Sequence, residues 1–225
     1  MIEKGFFKAD GSLTPFFSAA GQRHSWLCDR RMRGEMKTAS GIKAGSDLTE
    51  SLCMLPECPE PDQSFVDLRI LATSDIHGWL ADWNYHAAQP SDACLARAAS
   101  LVDLTRAKSA NTLLFDNGDF LQGTPLSDHH ATGPGANPVI AAMNHLRYDA
   151  ATLGNHEFNF GLEAMEAALA DAGFPVVSAN LSHVDGRPVV ARSVVLERRV
   201  ADGGGAVHDL RVGVIGFLPV QIMVW

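Results

Sequence analysis

Apolar and polar residues follow regular periods from Phe65 to the end of the sequence. Residues 66–70 alternate apolar and charged side chains, which predicts a half-buried strand that continues through Ala72. Short apolar runs between turn residues predict further strands at 112–115, 150–153, 175–179, 189–196 and 207–218, the last two joined by a turn at 202–205. Apolar residues three and four positions apart predict helices at 91–105, 137–146 and 162–172.

The predicted helix ends rest on residues with strong local preferences. Ser91 is a candidate N-cap, and Asn137 is another, followed by Pro138 at the first helical position. Gly173 closes the third helix. Gly and Pro residues between 123 and 135 predict a loop. The succession of strands and helices is typical of an α/β sheet that binds its ligands at the carboxyl ends of the strands.

Residues 1–64 show neither period and end in a Pro-rich stretch, so we interpret them as a poorly ordered extension of a domain at 65–225. Three of the four cysteines lie in this extension, and no second Cys or His pair completes a zinc motif. We therefore expect isolated thiols at the four cysteine positions, which are Cys28, Cys53, Cys58 and Cys94.

Composition and charge narrow the class of function. The 225 residues are 46% hydrophobic and 20% charged, which suffices for one sizeable core. The net charge of −8 provides no general attraction for a nucleic acid duplex, whose binding requires clustered Lys and Arg. No run of 18 apolar residues exists, so no membrane span is predicted. A small anion held by bound metal ions remains compatible with this acidic chain.

Three clusters of metal-binding residue types follow three predicted strands. Asp75 and His77 lie two positions apart on an extended segment, so their side chains can approach one cation. Asp119 follows a glycine after the next strand, and the string Gly-Asn-His-Glu occupies 154–157 after the third. Taken alone, the first two clusters are better explained as solvated loop or turn residues, but the order of all three favours a site for two divalent ions. Such mixed donors suit Mn, Zn, Fe or Co.

The charges of these residues favour a phosphate ester as substrate. Asp75 and Asp119 would leave about two of the four positive charges of two divalent ions, available to a phosphate and an attacking hydroxide. A carboxylate such as Asp119 can bridge two such ions. His156, adjacent to a ligand, could bind the phosphoryl oxygen or protonate the leaving alkoxide.

The three motifs in this order resemble the calcineurin-like metallophosphoesterases. The longer strings at 116–126, 154–162 and 215–225 are similar to the 2',3'-cyclic-nucleotide 2'-phosphodiesterase/3'-nucleotidases of the 5'-nucleotidase group. The resemblance covers 65–225 and implies an α/β/β/α sandwich of which this chain holds the N-terminal half. It also implies that Asp75 and His77 bind the first metal, Asp119 bridges, Asn155 binds the second metal and His156 is the catalytic histidine.

The same resemblance implies the activity and leaves alternatives open. It implies hydrolysis of 2',3'-cyclic nucleotides and 3'-nucleotides, with a small nucleotide as the partner and the periplasm as the location. No signal peptide is visible, so a cytoplasmic location is the alternative. Related 5'-nucleotidases carry Asp where this chain has Asn159, which weakens the interpretation as a 5'-nucleotidase. A 5'-nucleotidase or UDP-sugar hydrolase nevertheless remains the competing enzyme. Because the further histidine motifs of the family are missing here, we also expect an inactive fragment as an alternative.

Overall fold

The computed structural model describes residues 5–7, 13–15, 28–35, 65–131, 133 and 135–219, with the backbone alone for the first three segments and Phe65. Most of the extension predicted for 1–64 lies outside the described residues, and so do Cys53, Cys58 and the end of the third resemblance string at 220–225. The domain boundary after residue 64 therefore stays a prediction. Of the cysteine side chains, the described one is Cys94, a buried free thiol.

Between residues 95 and 177 helices and strands follow one another along the chain, as the sequence pattern predicts. In chain order they are β1 Gly5–Phe7, β2 Leu13–Pro15, β3 Cys28–Glu35, β4 Phe65–Thr73, β5 Trp83–Asn84, β6 Gln89–Pro90, α1 Leu95–Lys108, β7 Thr112–Asp116, α2 Pro125–Ala131, α3 Pro138–His145, β8 Ala150–Thr152, α4 Leu162–Leu169, β9 Val176–Val177, β10 Ser193–Ala201 and β11 Val207–Ile215. None of these helices is long and apolar enough to cross a bilayer.

The central sheet has five strands in the order β3-β4-β7-β8-β9. β3 is antiparallel to β4, and the other neighbours are parallel. The parallel strands follow one another along the chain with helices between them, so their carboxyl ends meet at one edge. Thr73 is the register partner of Asp116, and Asp116 is also that of Ala151, which brings the three strand ends together. The structure therefore confirms the predicted mixed α/β fold.

The core forms between this sheet and its helices. Leu71 and Leu114, from β4 and β7, are fully buried, and so are Ile140 and Met143 from α3. Val102 of α1 and Met165 of α4 are about as completely enclosed. Burial of each such side chain contributes roughly 1.5–3 kcal/mol. The apolar periods of the sequence thus predict the buried faces of α1 and α3 correctly.

β10 and β11 form a separate antiparallel hairpin. After β11 the chain returns to the carboxyl end of the parallel sheet, where Ala179 N–H donates to Gly216 O at 2.8 Å. Asn180 and Leu218 then exchange two hydrogen bonds, of 2.7 and 2.9 Å, between the Asn180 amide and the Leu218 backbone. These bonds hold the segment after β11 next to the carboxyl edge of the parallel sheet, where the three clusters lie.

The predicted start of the first helix is wrong. α1 begins at Leu95, and Ser91 does not cap it. The backbone N–H groups of Leu95 and Ala96 instead donate to the carbonyl oxygens of Trp79 and Leu80, at 2.8 and 3.0 Å. The preceding loop therefore satisfies the N-terminal donors of the helix without a side-chain cap.

The predicted loop at 123–135 is also wrong, because it contains α2. Pro125 occupies the first helical position, where its missing N–H costs nothing. Thr124 N–H donates to the Ser127 hydroxyl at 3.0 Å, and Ser127 Oγ donates to Thr124 O at 2.8 Å. This reciprocal pair starts a seven-residue helix that apolar periodicity alone does not reveal.

Other boundaries shift by a few residues. α4 ends at Leu169 rather than 172, because the following N–H of Ala172 bonds three residues back to Leu169 O. The predicted strand at 189–196 instead runs from Ser193 to Ala201, since pairing with β11 continues up to the turn. The cap predicted at Asn137 is confirmed, with Oδ1 accepting from Val139 N–H at 2.9 Å.

Candidate metal centre

The first two clusters lie side by side at the carboxyl edge of the sheet. Beyond the ends of β4 and β7, Asp75 N–H donates to Gly118 O at 3.0 Å and His77 N–H donates to Asp119 O at 2.9 Å. Pairing between the two strands thus continues into their loops. This pairing holds the two loops that carry the predicted ligands at a fixed spacing.

The predicted ligands on these loops adopt left-handed backbone conformations. The φ angles are 57° for Asp75, 50° for His77 and 62° for Asp119. Non-glycine residues rarely adopt positive φ, and such conformations cost of order 1–3 kcal/mol each and cluster at functional sites. Hydrogen bonds between the loops offset this cost, as in the pair from His77 N–H to Asp119 O.

Two glycines allow the second and third clusters to approach closely. Gly118 has φ +90°, and a Cβ there would lie 2.3 Å from Gly154 N. A Cβ on Gly154 would lie 2.1 Å from Oδ1 of Asp119. Side chains cannot be accommodated at either position without displacing the neighbouring loop. The glycines that open these two motifs therefore explain how Asp119 reaches the third cluster.

Three side chains of the clusters converge on one point. One donor atom each from His77, Asp119 and His156 lies within 4.8 Å of the others. Ligands of one ion lie about 2.1 Å from it and hence at most about twice that apart, so this set suits a divalent ion after a small adjustment. Asp75 is outside this group of three, and its Oδ1 lies 3.9 Å from Nε2 of His77.

The imidazole of His77 is oriented for ligation. Its Nδ1 lies 2.7 Å from the carbonyl oxygen of Gln122. A carbonyl only accepts, so Nδ1 carries the proton and Nε2 presents its lone pair. Such a hydrogen bond from the far nitrogen is typical of metal-binding histidines. The ring is therefore held with Nε2 available for a metal.

The third cluster lies on a short 3-10 turn, His156–Phe158, that directly follows Asn155. His156 N–H donates to Oδ1 of Asp119 at 3.0 Å, and the rings of His77 and His156 have centroids 4.8 Å apart. Asn155 is half-buried at the start of this turn. The fold thus brings Asp75, His77, Asp119 and His156 together with Asn155 next in the chain, while the division into ligands and catalytic histidine stays a prediction.

Glu157 has a structural position for which the sequence predicted no role. Its carboxylate is 2% exposed and accepts hydrogen bonds from the backbone N–H groups of Asp119, Phe120, Leu121 and Gly154, at 2.6 to 3.1 Å. Burial, followed by the nearby Asp119, raises the pKa of Glu157, although the N–H donors lower it. The sequence signal is a Gly-x-x-Glu spacing, in which a Glu reaches back three residues as in a capping box.

A buried polar network joins the strand ends beneath the site. Thr73 Oγ1 lies 2.5 Å from Oδ2 of Asp116 and 2.8 Å from the hydroxyl of Tyr148. Oδ1 of Asp116 accepts from Gly118 N–H at 2.8 Å. Burial raises the pKa of Asp116 well above its usual value. The network fixes the last residues of β4 and β7, from which the Asp75 and Asp119 loops start.

Comparison with known proteins adds an independent line of support. Residues 68–209 match the family model described as calcineurin-like phosphoesterase. A 2',3'-cyclic-nucleotide 2'-phosphodiesterase/3'-nucleotidase from Haemophilus influenzae is 43% identical over 169 residues, which are 72% of this chain and 26% of that protein. A 5'-nucleotidase from Homo sapiens is 35% identical over 157 residues, 67% of this chain and 25% of that protein.

Solved structures show the same relationship. The crystal structure of the calcineurin-like phosphoesterase YfkN from Bacillus subtilis superimposes with a TM-score of 0.66 at 42% identity. The match covers 71% of this chain and 51% of that one. By contrast, the matched residues of this chain span about a quarter of the length of the Haemophilus influenzae and Homo sapiens proteins. What those proteins do as wholes carries over to this chain only as a proposal.

Proposed function

The chain belongs to the calcineurin-like phosphoesterase family, and from this premise we propose that the protein hydrolyses 2',3'-cyclic nucleotides and 3'-nucleotides with two divalent metal ions. The observation that carries the proposal is the convergence of donor atoms from His77, Asp119 and His156 within 4.8 Å. They meet at the carboxyl edge of a parallel sheet, where α/β proteins bind ligands. The nucleotide substrate is supported by the name of the relative that is 43% identical.

The residues of the chain have separate tasks in this proposal. Asp75 and His77 hold the first ion, Asn155 holds the second, and Asp119 contacts both. When bound, the ions polarise phosphoryl oxygens and lower the pKa of water, the two effects on which phosphate ester hydrolysis depends. The carboxylates of Asp75 and Asp119 offset about two of the four positive charges, which leaves the site attractive to a phosphate. Mixed oxygen and nitrogen donors favour Mn, Zn, Fe or Co.

In this proposal His156 acts on the oxygen atoms of the substrate as a hydrogen-bond donor or a general acid. Its backbone is fixed by the 3.0 Å hydrogen bond to Asp119, so the imidazole starts from a defined position beside the ligands. A protonated ring donates to a phosphoryl oxygen or protonates the leaving alkoxide.

Substrate choice is tested by comparing three nucleotides. Purified product of the complete reading frame is supplied with Mn²⁺ and either 2',3'-cyclic AMP, 3'-AMP or 5'-AMP, and kcat/KM is measured for each. We expect the first two to be preferred. Asn159, exposed three residues after His156, is where the resemblance places Asp in 5'-nucleotidases. Preference for 5'-AMP would instead support the 5'-nucleotidase or UDP-sugar hydrolase alternative.

The 225-residue chain by itself is proposed to be inactive. In this assignment the first ion has three protein ligands, but the second has two, Asn155 and Asp119, which is fewer than the three that catalytic zinc sites use. Purified chain should therefore show no phosphodiesterase turnover above a metal-free blank. Mn²⁺-dependent turnover that disappears in Asp119→Asn would contradict the proposed inactivity. It would leave the proposed metal ligands unchallenged.

The resemblance also supports a periplasmic location, with the cytoplasm as the alternative. Release of the native protein by osmotic shock, alongside a periplasmic marker, tests this. Retention with a cytoplasmic marker would contradict it.

A further inference from the structure

We propose that Glu157 is a positioning residue, which locks the proposed ligand Asp119 and the proposed catalytic residue His156 into one rigid unit. The inference rests on the proposed function for the roles of those two residues. The hydrogen bonds themselves are independent of it.

The carboxylate of Glu157 connects two loops that are distant in sequence. Oε1 accepts from the N–H groups of Phe120 and Leu121 at 2.7 and 3.1 Å. Oε2 accepts from Asp119 at 2.8 Å and from Gly154 at 2.6 Å. The first three donors belong to the loop after β7 and the fourth to the loop after β8. Both oxygens are therefore needed, and one side chain holds both loops.

These bonds act on the backbone of the proposed ligand itself. Asp119 has φ 62°, and from Asp119 onward three successive N–H groups point to the same carboxylate. Successive N–H groups that converge in this way form an anion-binding concavity. Glu157 supplies the anion and thereby stabilises a conformation that Asp119 would otherwise rarely adopt.

A second bond closes the unit. Oδ1 of Asp119 accepts from the N–H of His156, the residue directly before Glu157. The Glu157 carboxylate thus binds the backbone of Asp119, and the side chain of Asp119 in turn binds the backbone of His156. A shift of the Glu157 carboxylate must move the side chain of Asp119 relative to the ring of His156.

Water cannot readily replace this carboxylate. Glu157 is 2% exposed, and Asp119 is 6% exposed. A buried N–H that loses its acceptor retains the full desolvation penalty. Loss of one oxygen would therefore be relieved by movement of a loop rather than by hydration.

The test uses Glu157→Gln, which keeps the shape of the side chain but replaces one acceptor oxygen by an NH2 group. The matched control is Asp149→Asn, because Asp149 also accepts a backbone N–H, from Leu114 at 2.7 Å, and lies away from the three clusters. Histidine ring resonances and amide exchange of the 225-residue chain are recorded by NMR in EDTA. Mn²⁺ affinity is then measured by titration.

For Glu157→Gln we expect at least two of the four amides to exchange tenfold faster or more, the ring signals of His156 to shift, and Mn²⁺ affinity to fall at least tenfold. Asp149→Asn should leave the His156 ring signals and the Mn²⁺ affinity unchanged, and any faster exchange caused by easier unfolding should not be confined to these four amides. Glu157→Asp keeps the charge and both oxygens on a shorter stem, so it should give values between wild type and Gln. It also provides the comparison if Gln does not fold.

Unchanged His156 ring signals in Glu157→Gln, or in Glu157→Asp if only that variant folds, would overturn the positioning role. Faster amide exchange with wild-type Mn²⁺ affinity would also overturn it, because Glu157 would then be merely structural. Failure of wild type to bind Mn²⁺ would instead contradict the ligand assignment in the proposed function, and the metal-free NMR comparison would still decide the positioning role.

Discussion

Nδ1 of His77 lies 2.7 Å from the carbonyl oxygen of Gln122, a residue 45 positions later in the chain. This bond occupies Nδ1 and leaves Nε2 as the nitrogen that could bind a metal ion. Because Nδ1 is bound to backbone, Nε2 is the atom that faces Asp75, at 3.9 Å from its Oδ1. The two tasks of His77 can therefore be tested separately.

Replacing His77 by Asn should remove metal binding while preserving the fold. The Asn amide can donate to Gln122 O in place of Nδ1, but it has no atom at the position of Nε2. Asn also tolerates the φ of 50° at this position better than His does. We expect Mn²⁺ affinity to fall at least tenfold, with a loss of unfolding free energy in EDTA of about 0.5–3 kcal/mol that leaves the chain folded.

The control for this variant is His145→Asn, since His145 is exposed at the end of α3. It should leave both quantities at the wild-type value. Wild-type Mn²⁺ affinity in His77→Asn would show that His77 is not a ligand.

Gly154→Ala should disturb the site through contact alone. The added Cβ would lie 2.1 Å from Oδ1 of Asp119, a separation that requires movement. Gly213→Ala is the matched control, because a Cβ at Gly213 meets nothing within 4 Å and neither glycine has positive φ. We expect Gly154→Ala to lose about 1–3 kcal/mol of stability by overpacking and to bind Mn²⁺ more weakly in titration.

Gly213→Ala should be neutral in both measurements. Equal Mn²⁺ affinities in the two alanine variants would mean that the approach of Gly154 to Asp119 does not matter for ligation.

Much of the fold follows from local sequence patterns. Alternation at 66–70 predicts β4, and the pair Asn137-Pro138 predicts the start of α3, because each signal depends only on neighbouring residues. The order of the three clusters likewise predicts that they meet, since parallel strands end at one edge.

The missed features depend on contacts between distant residues. The start of α1 depends on acceptors at Trp79 and Leu80, and no property of Ser91 reveals them. The role of Glu157 depends on three donors that lie 36 to 38 positions earlier in the chain. Sequence periodicity holds no information about contacts between distant residues. The meeting of the three clusters is therefore predictable from the sequence, whereas the contacts that hold them in place are not.

The two N-caps predicted from the sequence can be compared by their effect on stability, because the structure confirms Asn137 but not Ser91. Oδ1 of Asn137 accepts from Val139 N–H at 2.9 Å and Ile140 N–H at 3.4 Å, and Asn137 is 5% exposed. Asn137→Ala should lower the unfolding free energy by about 0.5–2 kcal/mol in urea. Ser91→Ala, at the position where the sequence predicted a cap, should lower it by less than about 0.5 kcal/mol. Equal losses in the two variants would contradict the helix boundaries described above.

The buried Asp116 should make stability depend on pH with a sign opposite to that of most carboxylates. Burial is the largest cause that raises its pKa well above 3.8, and the hydrogen bonds from Thr73 and Gly118 offset this only in part. The folded chain therefore binds this proton more tightly than the unfolded chain. The stability that Asp116 contributes is fully present below the unfolded pKa and is lost as pH rises through the raised folded pKa.

Asp116→Asn removes this titration and keeps the shape of the side chain. The difference in stability between wild type and Asp116→Asn therefore reports the titration of Asp116. Urea unfolding in EDTA from pH 4 to pH 9 should show the wild type losing stability relative to Asp116→Asn as pH rises, by up to about 1.4 kcal/mol per pH unit below the folded pKa and not at all above it. Asp202 provides the opposite case, because a hydrogen bond with His208 lowers its pKa. The stability of wild type relative to Asp202→Asn should therefore not fall as pH rises through this range, and it should be lost only at lower pH, towards the lowered pKa. A wild-type advantage over Asp116→Asn that stays constant across the range would mean that Asp116 titrates alike in the folded and unfolded chains, which is incompatible with its burial between Thr73 and Gly118.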